Sequence, residues 1–454
     1  MLITFKISNF LSFNEQVTFM MQAGPVRESM HHVIKGKGRN DVDILKSAVI
    51  YGANASGKSN LIKAVEFAKN VIVKGLSKTI SDNKHFRLDN TNVNKPTQFE
   101  FEFKHNGKMY AYGVVLSLKE RKIKEEWLFE LLKTTDNPIF ERKVLENGKS
   151  DIVLSLKLDK EGNNRFDVYR KDIKDTQLFL SEINDKNIDD IANIDAFKDA
   201  FDWFDDNIVI IYPDTQVNNL NFVGNNEEMK DAFGHFLAMF KTGIQGVETV
   251  EQDVDNTFPT KLKEEILSDL NEKEVKGVTL KIGKNTFTFS KNEQGELKMF
   301  KLNTRRTLNN STEVINFELE EESDGTRRIM DFIPALVGLA NTDKTYFIDE
   351  IDRSLHPELT QKILETFFNN TQDIESQLIV TTHESSLLDL SLVRRDEIWF
   401  VEKDKNGASQ MYSLEQFKPR HDKEVRKAYL QGRFGAIPFV SNVKDLGWLK
   451  VIKN

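Results

Sequence analysis

Apolar and polar residues alternate through PTQFEFEFKHNGKMYAYGVVLSL, which predicts a β-hairpin over 96–120 with HNGK as its turn. Two short strands are expected in residues 1–20 around NFLSFN, and more strands through EEWLFELLKTT and PIFERKV. From about residue 175 the period becomes helical. TQLFLSEIN, DAFKDAFDWFDD, EEMKDAFGHFLAMFK and TKLKEEILSDLNEK read as short amphipathic helices. None sustains heptads, so no long coiled-coil arm is expected. Alternation returns over 277–319, in GVTLKIGKNTFTFSK and VINFELEEES. Residues 323 to about 402 then read loop, helix, strand, helix, strand, loop and strand, the order of a parallel α/β sheet.

One apolar strand, SAVIYG, runs into GANASGKSN and a helix from about Lys58 to Asn70. Gly52, Gly57, Lys58 and Ser59 fit the phosphate-loop pattern G-x-x-x-x-G-K-[ST], flanked by strand and helix as the mechanism requires. The glycines let backbone N–H groups turn toward phosphates, Lys58 reaches the β and γ phosphates, and the Ser59 hydroxyl ligates Mg²⁺. The nucleotide-binding set is therefore Gly52, Asn54, Ala55, Ser56, Gly57, Lys58, Ser59 and Asn60.

A second apolar strand, Thr345 to Ile348, ends in Asp349 and Glu350. An acid at that end reaches Mg²⁺, here Asp349, and the next, Glu350, can polarise the attacking water. A third strand, in SQLIVTTHESSLL, ends at Thr381, Thr382 and His383, which places His383 to hold phosphate and water in line if this strand neighbours the second. Ser323, Asp324 and Gly325 open the helix of EESDGTRRIMDFIPALVGLA. Ser and Gly there can form an anion site, although taken alone an ordinary helix cap is the simpler reading.

Composition narrows the remainder. The 454 residues are 39% hydrophobic and 10% aromatic, which is globular and large enough for two or three structural units. No cysteine is present, which excludes disulfides and thiolate metal sites, and eight scattered histidines disfavour a His-only zinc site. The opening MLITFKISNFLSFNEQ shows no secretory pattern and no apolar run spans a bilayer, so a cytoplasmic protein is expected. A net charge of -8 argues against general coating of nucleic acid. The run KPRHDKEVRKAYLQGR, 418–433, is the best local basic candidate, though such a run is more often a solvated helix face.

Phosphate loop, SDG helix start, DE pair and histidine stand in the order used by ABC-type ATPases. ITFKISNFLSF and DEIDRSLHPEL resemble the soluble SMC, RecF and OLD-like branch, whereas ESDGTRR and RSLHP depart from transporter forms. The resemblance covers roughly 1–75 and 320–402. It implies an α/β fold: an ABC-type ATPase head (mixed sheet with P-loop core plus antiparallel β part) with a compact, mainly helical insertion. The expected divisions are 1–155, a head lobe; 156–320, an insertion, helical then β, expected to carry oligomer or partner contacts; 321–405, the rest of the head; and 406–454, a tail. The resemblance further implies that Asp349 supports the metal, Glu350 is the catalytic base and His383 senses the γ phosphate. Ser323 and Gly325 would contact ATP held by a second subunit, in a homodimer or a higher oligomer. A glutamine loop is not assigned; Gln98 lies in an alternating strand and is a poor candidate.

Prokaryotic antiphage-defence ATPases of the AbiLi and AriA kind resemble the chain further, in size, short insertion and a tail like RKAYLQGRFGAIPFV. That likeness implies a sensor and scaffold acting beside a separate Toprim- or RloB-type nuclease, with nucleic acid or a phage-encoded trigger as a further partner. The residues after His383 hold no convincing glutamate plus D-x-D arrangement, so a nuclease is expected in trans. The alternative is a RecF- or SMC-like ATPase of DNA repair or chromosome maintenance, which would show DNA-stimulated, salt-sensitive hydrolysis. The aromatic runs FKDAFDWFDD and FGHFLAMF more often mean core than interface, and the sequence does not separate the two.

Overall fold

Segments that are predominantly apolar become strands buried on both faces, as parallel strands beneath helices must be. In the computed structural model, β5 (Ser47–Tyr51), β17 (Thr345–Ile348) and β18 (Gln377–Thr382) are buried at every residue. With β11 (Ile208–Ile211), β19 (Ile398–Lys403) and β20 (Ser409–Ser413) they form one sheet, ordered β11-β17-β18-β5-β19-β20. Every pair is parallel except β19–β20. The helix α1 (Lys58–Lys74) follows the phosphate loop and runs four residues past the predicted end, burying Leu61, Ile62, Val65, Val71 and Ile72. The structure describes all residues except 39–40, 133, 187, 189, 215–226, 255–257, 273–276, 283–284, 293, 418–424 and 437–454. It divides into two units: 1–211, 342–351 and 368–454 form the first, 212–341 and 352–367 the second.

The alternating segments build a seven-stranded antiparallel sheet in the first unit, ordered β10-β9-β8-β7-β6-β1-β2. Its strands are β1 (Leu2–Ser8), β2 (Val17–Met20), β6 (Thr97–His105), β7 (Lys108–Ser117), β8 (Lys122–Leu131), β9 (Asp136–Val144) and β10 (Ser150–Leu154). The β6–β7 turn has positive φ at both central residues, Asn106 at 48° and Gly107 at 78°, as a two-residue hairpin turn requires. The short strands β3 (Val33–Ile34) and β4 (Ile44–Leu45) pair separately. Gln98 lies on β6 opposite Ser8.

Residues 156–211, expected in the insertion, instead pack on the first unit, and the boundary falls at Tyr212. The reason is aromatic. Phe197, on α4 (Asp195–Asp202), stacks on Phe140 of β9 at 5.3 Å, and Phe179, on α3 (Phe179–Asn184), meets the same ring edge-on at 5.1 Å. Trp203 stacks on Phe103 at 4.2 Å and Phe204 is buried beside it, so both of these rings in DAFDWFDD are core, while Asp202, Asp205 and Asp206 are exposed. The helix α2 (Lys160–Asp172) precedes the predicted onset of helical periodicity, since it buries only Gly162 and Phe166 and carries almost no apolar stripe.

The second unit holds α5 (Glu227–Met239), β12 (Gly246–Gln252), α6 (Thr260–Glu272), β13 (Gly277–Ile282), β14 (Asn285–Lys291), β15 (Leu297–Thr307), β16 (Val314–Glu318) and α7 (Asp324–Asn341). Most of α8 (Pro357–Asn370) belongs to it as well. Its sheet runs β12-β15-β14-β13, and β16 also pairs with β15. Phe287, Phe289 and Met299 pack with Val254, Ile266 and Leu270 as its core. Phe233, Leu237 and Phe240 of FGHFLAMF are buried too.

The described part of the tail packs most of its apolar residues inward. In α9 (Val425–Leu430) and beyond, Tyr429 and Phe434 lie against Phe400, and Ala436 N donates to Glu402 Oε2 at 2.9 Å. Residues 418–424 of the basic run lie outside the described residues; Arg426, Lys427 and Arg433 are exposed. Among the described residues no helix is long and apolar enough to cross a membrane.

The buried side chain of Gln377 ties β18 to β1 of the antiparallel sheet and to β4. Gln377 Oε1 accepts from Leu2 N at 2.5 Å and Thr345 Oγ1 at 2.9 Å, while Nε2 donates to Leu2 O at 2.9 Å and Leu45 O at 3.0 Å. Gln377→Leu leaves those backbone groups buried without partners, and should cost about 3 kcal/mol. Chemical denaturation followed by far-UV circular dichroism checks this; a loss below about 1 kcal/mol would mean that the neighbours recover those bonds.

Candidate nucleotide-binding site

The loop between β5 and α1 is shaped from below. A Cβ on Gly52 would stand 2.3 Å from Val401 O, and one on Gly57 2.2 Å from Ser409 Oγ. Gly57 also has φ 118°, a conformation other residues avoid. Ser409 Oγ donates to Ser56 O at 2.5 Å and lies 2.8 Å from Ser12 Oγ, while Ser409 N donates to Ser12 O. Two serines, one beside β1 and one starting β20, therefore hold the loop's underside.

The loop's upper face suits phosphate. Gly57 caps α1 without any side-chain hydrogen bond, which leaves helix N-terminal amides for an anion. Lys58 is 4% exposed, and its Nζ donates to Gly52 O at 2.8 Å and Ala53 O at 3.2 Å. That ammonium also lies 3.3 Å from His383 Nδ1. Asn54 and Ala55 are exposed, Ser56 is buried, and Ser59 and Asn60 are half-buried.

A chain of hydrogen bonds links the loop to the neighbouring strand ends. Ser59 Oγ donates to Asp349 Oδ1 at 3.1 Å, and Thr381 Oγ1 donates to the same oxygen at 2.6 Å. Glu350 N in turn donates to Thr381 Oγ1 at 2.8 Å. Glu350 has φ 49°, a left-handed conformation that costs a non-glycine residue about 1 kcal/mol. Thr381 fixes it from two sides, since its carbonyl also accepts from Ile351 N at 3.0 Å. The strand order explains the meeting: β18 lies between β5 and β17, so all three carboxyl ends face one place.

Gly52 to Asn60, Asp349, Glu350 and His383 thus belong to the first unit, whereas Ser323 and Gly325 belong to the second. Within that unit Ser323 is exposed and caps α7, its Oγ accepting from Thr326 N at 3.1 Å. Three residues that shape the site were not singled out from the sequence. Ser12 and Ser409 carry no motif and are far from the loop in the chain; Thr381 was noted only as part of a strand end. Among the described residues no cluster of three or more His, Cys, Asp or Glu could hold a metal. Ser59 Oγ and Asp349 Oδ1, 3.1 Å apart, are hard oxygen donors of the kind that would suit Mg²⁺.

A family described as "AAA domain, putative AbiEii toxin, Type IV TA system" matches residues 47–389. No curated protein matches the chain. Among solved structures, the SMC head domain from Thermotoga maritima is 12% identical, covering 91% of this chain and 98% of that one, with a TM-score of 0.36. An SmcHead bound to the C-winged helix domain of ScpA is 14% identical, with 92% and 99% covered and a TM-score of 0.40. The Smc head domain with an extended coiled coil, bound to the C-terminal domain of ScpA from Pyrococcus furiosus, is 17% identical, with 95% and 99% covered and a TM-score of 0.37.

Proposed function

The chain belongs to the AbiEii-type AAA-domain family, and on that footing we propose that it binds ATP with Mg²⁺ and hydrolyses ATP to ADP and phosphate. The observation that carries this reading is the bonded series Ser59, Asp349, Thr381, Glu350, with Lys58 beside His383. Lys58 and the α1 amides take the phosphates, and Ser59 with Asp349 holds Mg²⁺. The ion, when bound, offsets charge that builds on the phosphate oxygens. Glu350 accepts a proton from the attacking water, and His383 orients that water against the γ phosphate.

The work done is gating. ATP held between two copies, with Ser323 and Gly325 of one completing the site of the other, sets whether a separate effector is held or released. We assign this to an antiphage defence system of the AbiLi and AriA kind, with a Toprim- or RloB-type nuclease as effector, in the cytoplasm. The family's description as a toxin of a type IV toxin–antitoxin system supports a conditional role over a housekeeping one. Helices of 13 residues and a five-stranded sheet between the two parts of the head, in place of long arms, support it too.

Light scattering tests the pairing step. In the Glu350→Gln background, Mg·ATP should double the solution mass, and Lys58→Ala or Ser323→Arg should abolish the increase. A mass that stays at one chain while ATP is bound would overturn the two-copy site.

A further inference from the structure

Glu322, the residue before Ser323, is only 8% exposed although it is charged. A buried carboxylate persists where it is paired and hydrogen-bonded. Its partners both lie on β15. Thr304 Oγ1 and Arg306 Nη1 each donate to Oε1 at 2.5 Å, and Arg306 Nη2 donates to Oε2 at 2.8 Å. Burial opposes ionisation, but the Arg306 and Thr304 bonds outweigh it and hold the carboxyl below its usual range. The guanidinium itself lies over the Phe317 ring of β16, 4.9 Å from its centroid.

The strand that carries this fork is the hub of its sheet. β15 is hydrogen-bonded to β12, β14 and β16. Beyond Ser323 the chain is pinned again: a Cβ on Gly325 would stand 2.9 Å from Ser354 O, and Ser354 has φ 61°. Ser323 therefore sits between two fixed points of the second unit, β15 on one side and the 352–355 loop on the other. An apolar pair could stabilise this junction as well as an ion pair does. What the bidentate fork adds is orientation.

We propose that Glu322 and Arg306 are positioning residues for Ser323, which tie the SDG turn to the insertion sheet so that a load on β12, β14 or β16 changes ATP-driven pairing. This rests on Ser323 engaging ATP held by a second copy. It gives the insertion a role in hydrolysis without any contact between its sheet and the nucleotide.

The test uses the full chain. Arg306→Met and Glu322→Gln should lower kcat roughly tenfold and reduce the ATP-driven rise in mass. ATP affinity, set in the first unit, and the far-UV circular dichroism should not change. The exchanged pair, Glu322→Arg with Arg306→Glu, should recover part of the loss. Should Arg306→Met lose native dichroism, Arg306→Lys serves instead, since it keeps the charge and removes the fork. If Ser323→Arg abolishes the mass increase while the Arg306 and Glu322 variants keep both that increase and kcat, the positioning role is overturned alone. If Ser323→Arg itself changes nothing, the two-copy reading falls and the positioning role with it.

Discussion

ATP turnover by the Glu350→Gln protein will be lower than that of the wild type by about 10²–10⁴-fold, with ATP still bound. The magnitude is that of a positioned general base, and the substitution isolates it well. Gln has nearly the shape of Glu, and the bond that holds Glu350 in its left-handed conformation is made by the backbone amide, not by the carboxylate. Asp349, which shares Thr381, keeps both of its hydrogen bonds. Phosphate release under saturating ATP, together with binding of a fluorescent ATP analogue, separates turnover from affinity. Turnover within a few-fold of wild type would remove Glu350 from the base role.

Lys58→Ala is expected to act one step earlier, on binding. Its ammonium is buried and fixed on the carbonyls of Gly52 and Ala53, so it is already organised for an anion. Charge-assisted hydrogen bonds of this kind contribute about 1.5–3 kcal/mol each. Losing one or two weakens ATP binding by about 10- to 10⁴-fold. Calorimetric titration reads the loss directly. A thermal scan with and without Mg·ATP gives a second readout, because a ligand present at 100 times its Kd adds about 2.7 kcal/mol to stability. A full ATP-dependent shift in the variant would show that the phosphates are held elsewhere.

How much of this was legible in the sequence differs by element, for physical reasons. Strands buried on both faces and the Asn-Gly hairpin announce themselves locally, in runs such as SAVIY and in alternation such as QFEFEF. The phosphate loop is equally local, since its function depends on spacing. By contrast, α2 hides because a helix lying on a surface with one buried Phe has hardly any period to detect. The boundary at Tyr212 follows from rings at Phe140, Phe179 and Phe197 meeting in space. Ser12, Ser409 and Thr381 matter through which atoms they support, and a hydroxyl in that role looks like any other in the chain. The Glu322–Arg306 fork spans 16 residues and a strand turn, and only the register of β15 with β16 brings it together.

The order of strands in the central sheet has a consequence for biogenesis. β5 emerges early, yet both of its neighbours, β18 and β19, lie more than 320 residues later. Synthesis at roughly 5–20 residues per second would leave this mainly apolar strand without its sheet for tens of seconds. The long loops to be closed also make formation of the sheet slow. The proposed nucleotide site is likewise incomplete until β17 and β18, which carry Asp349 and Thr381 at their ends, have been made.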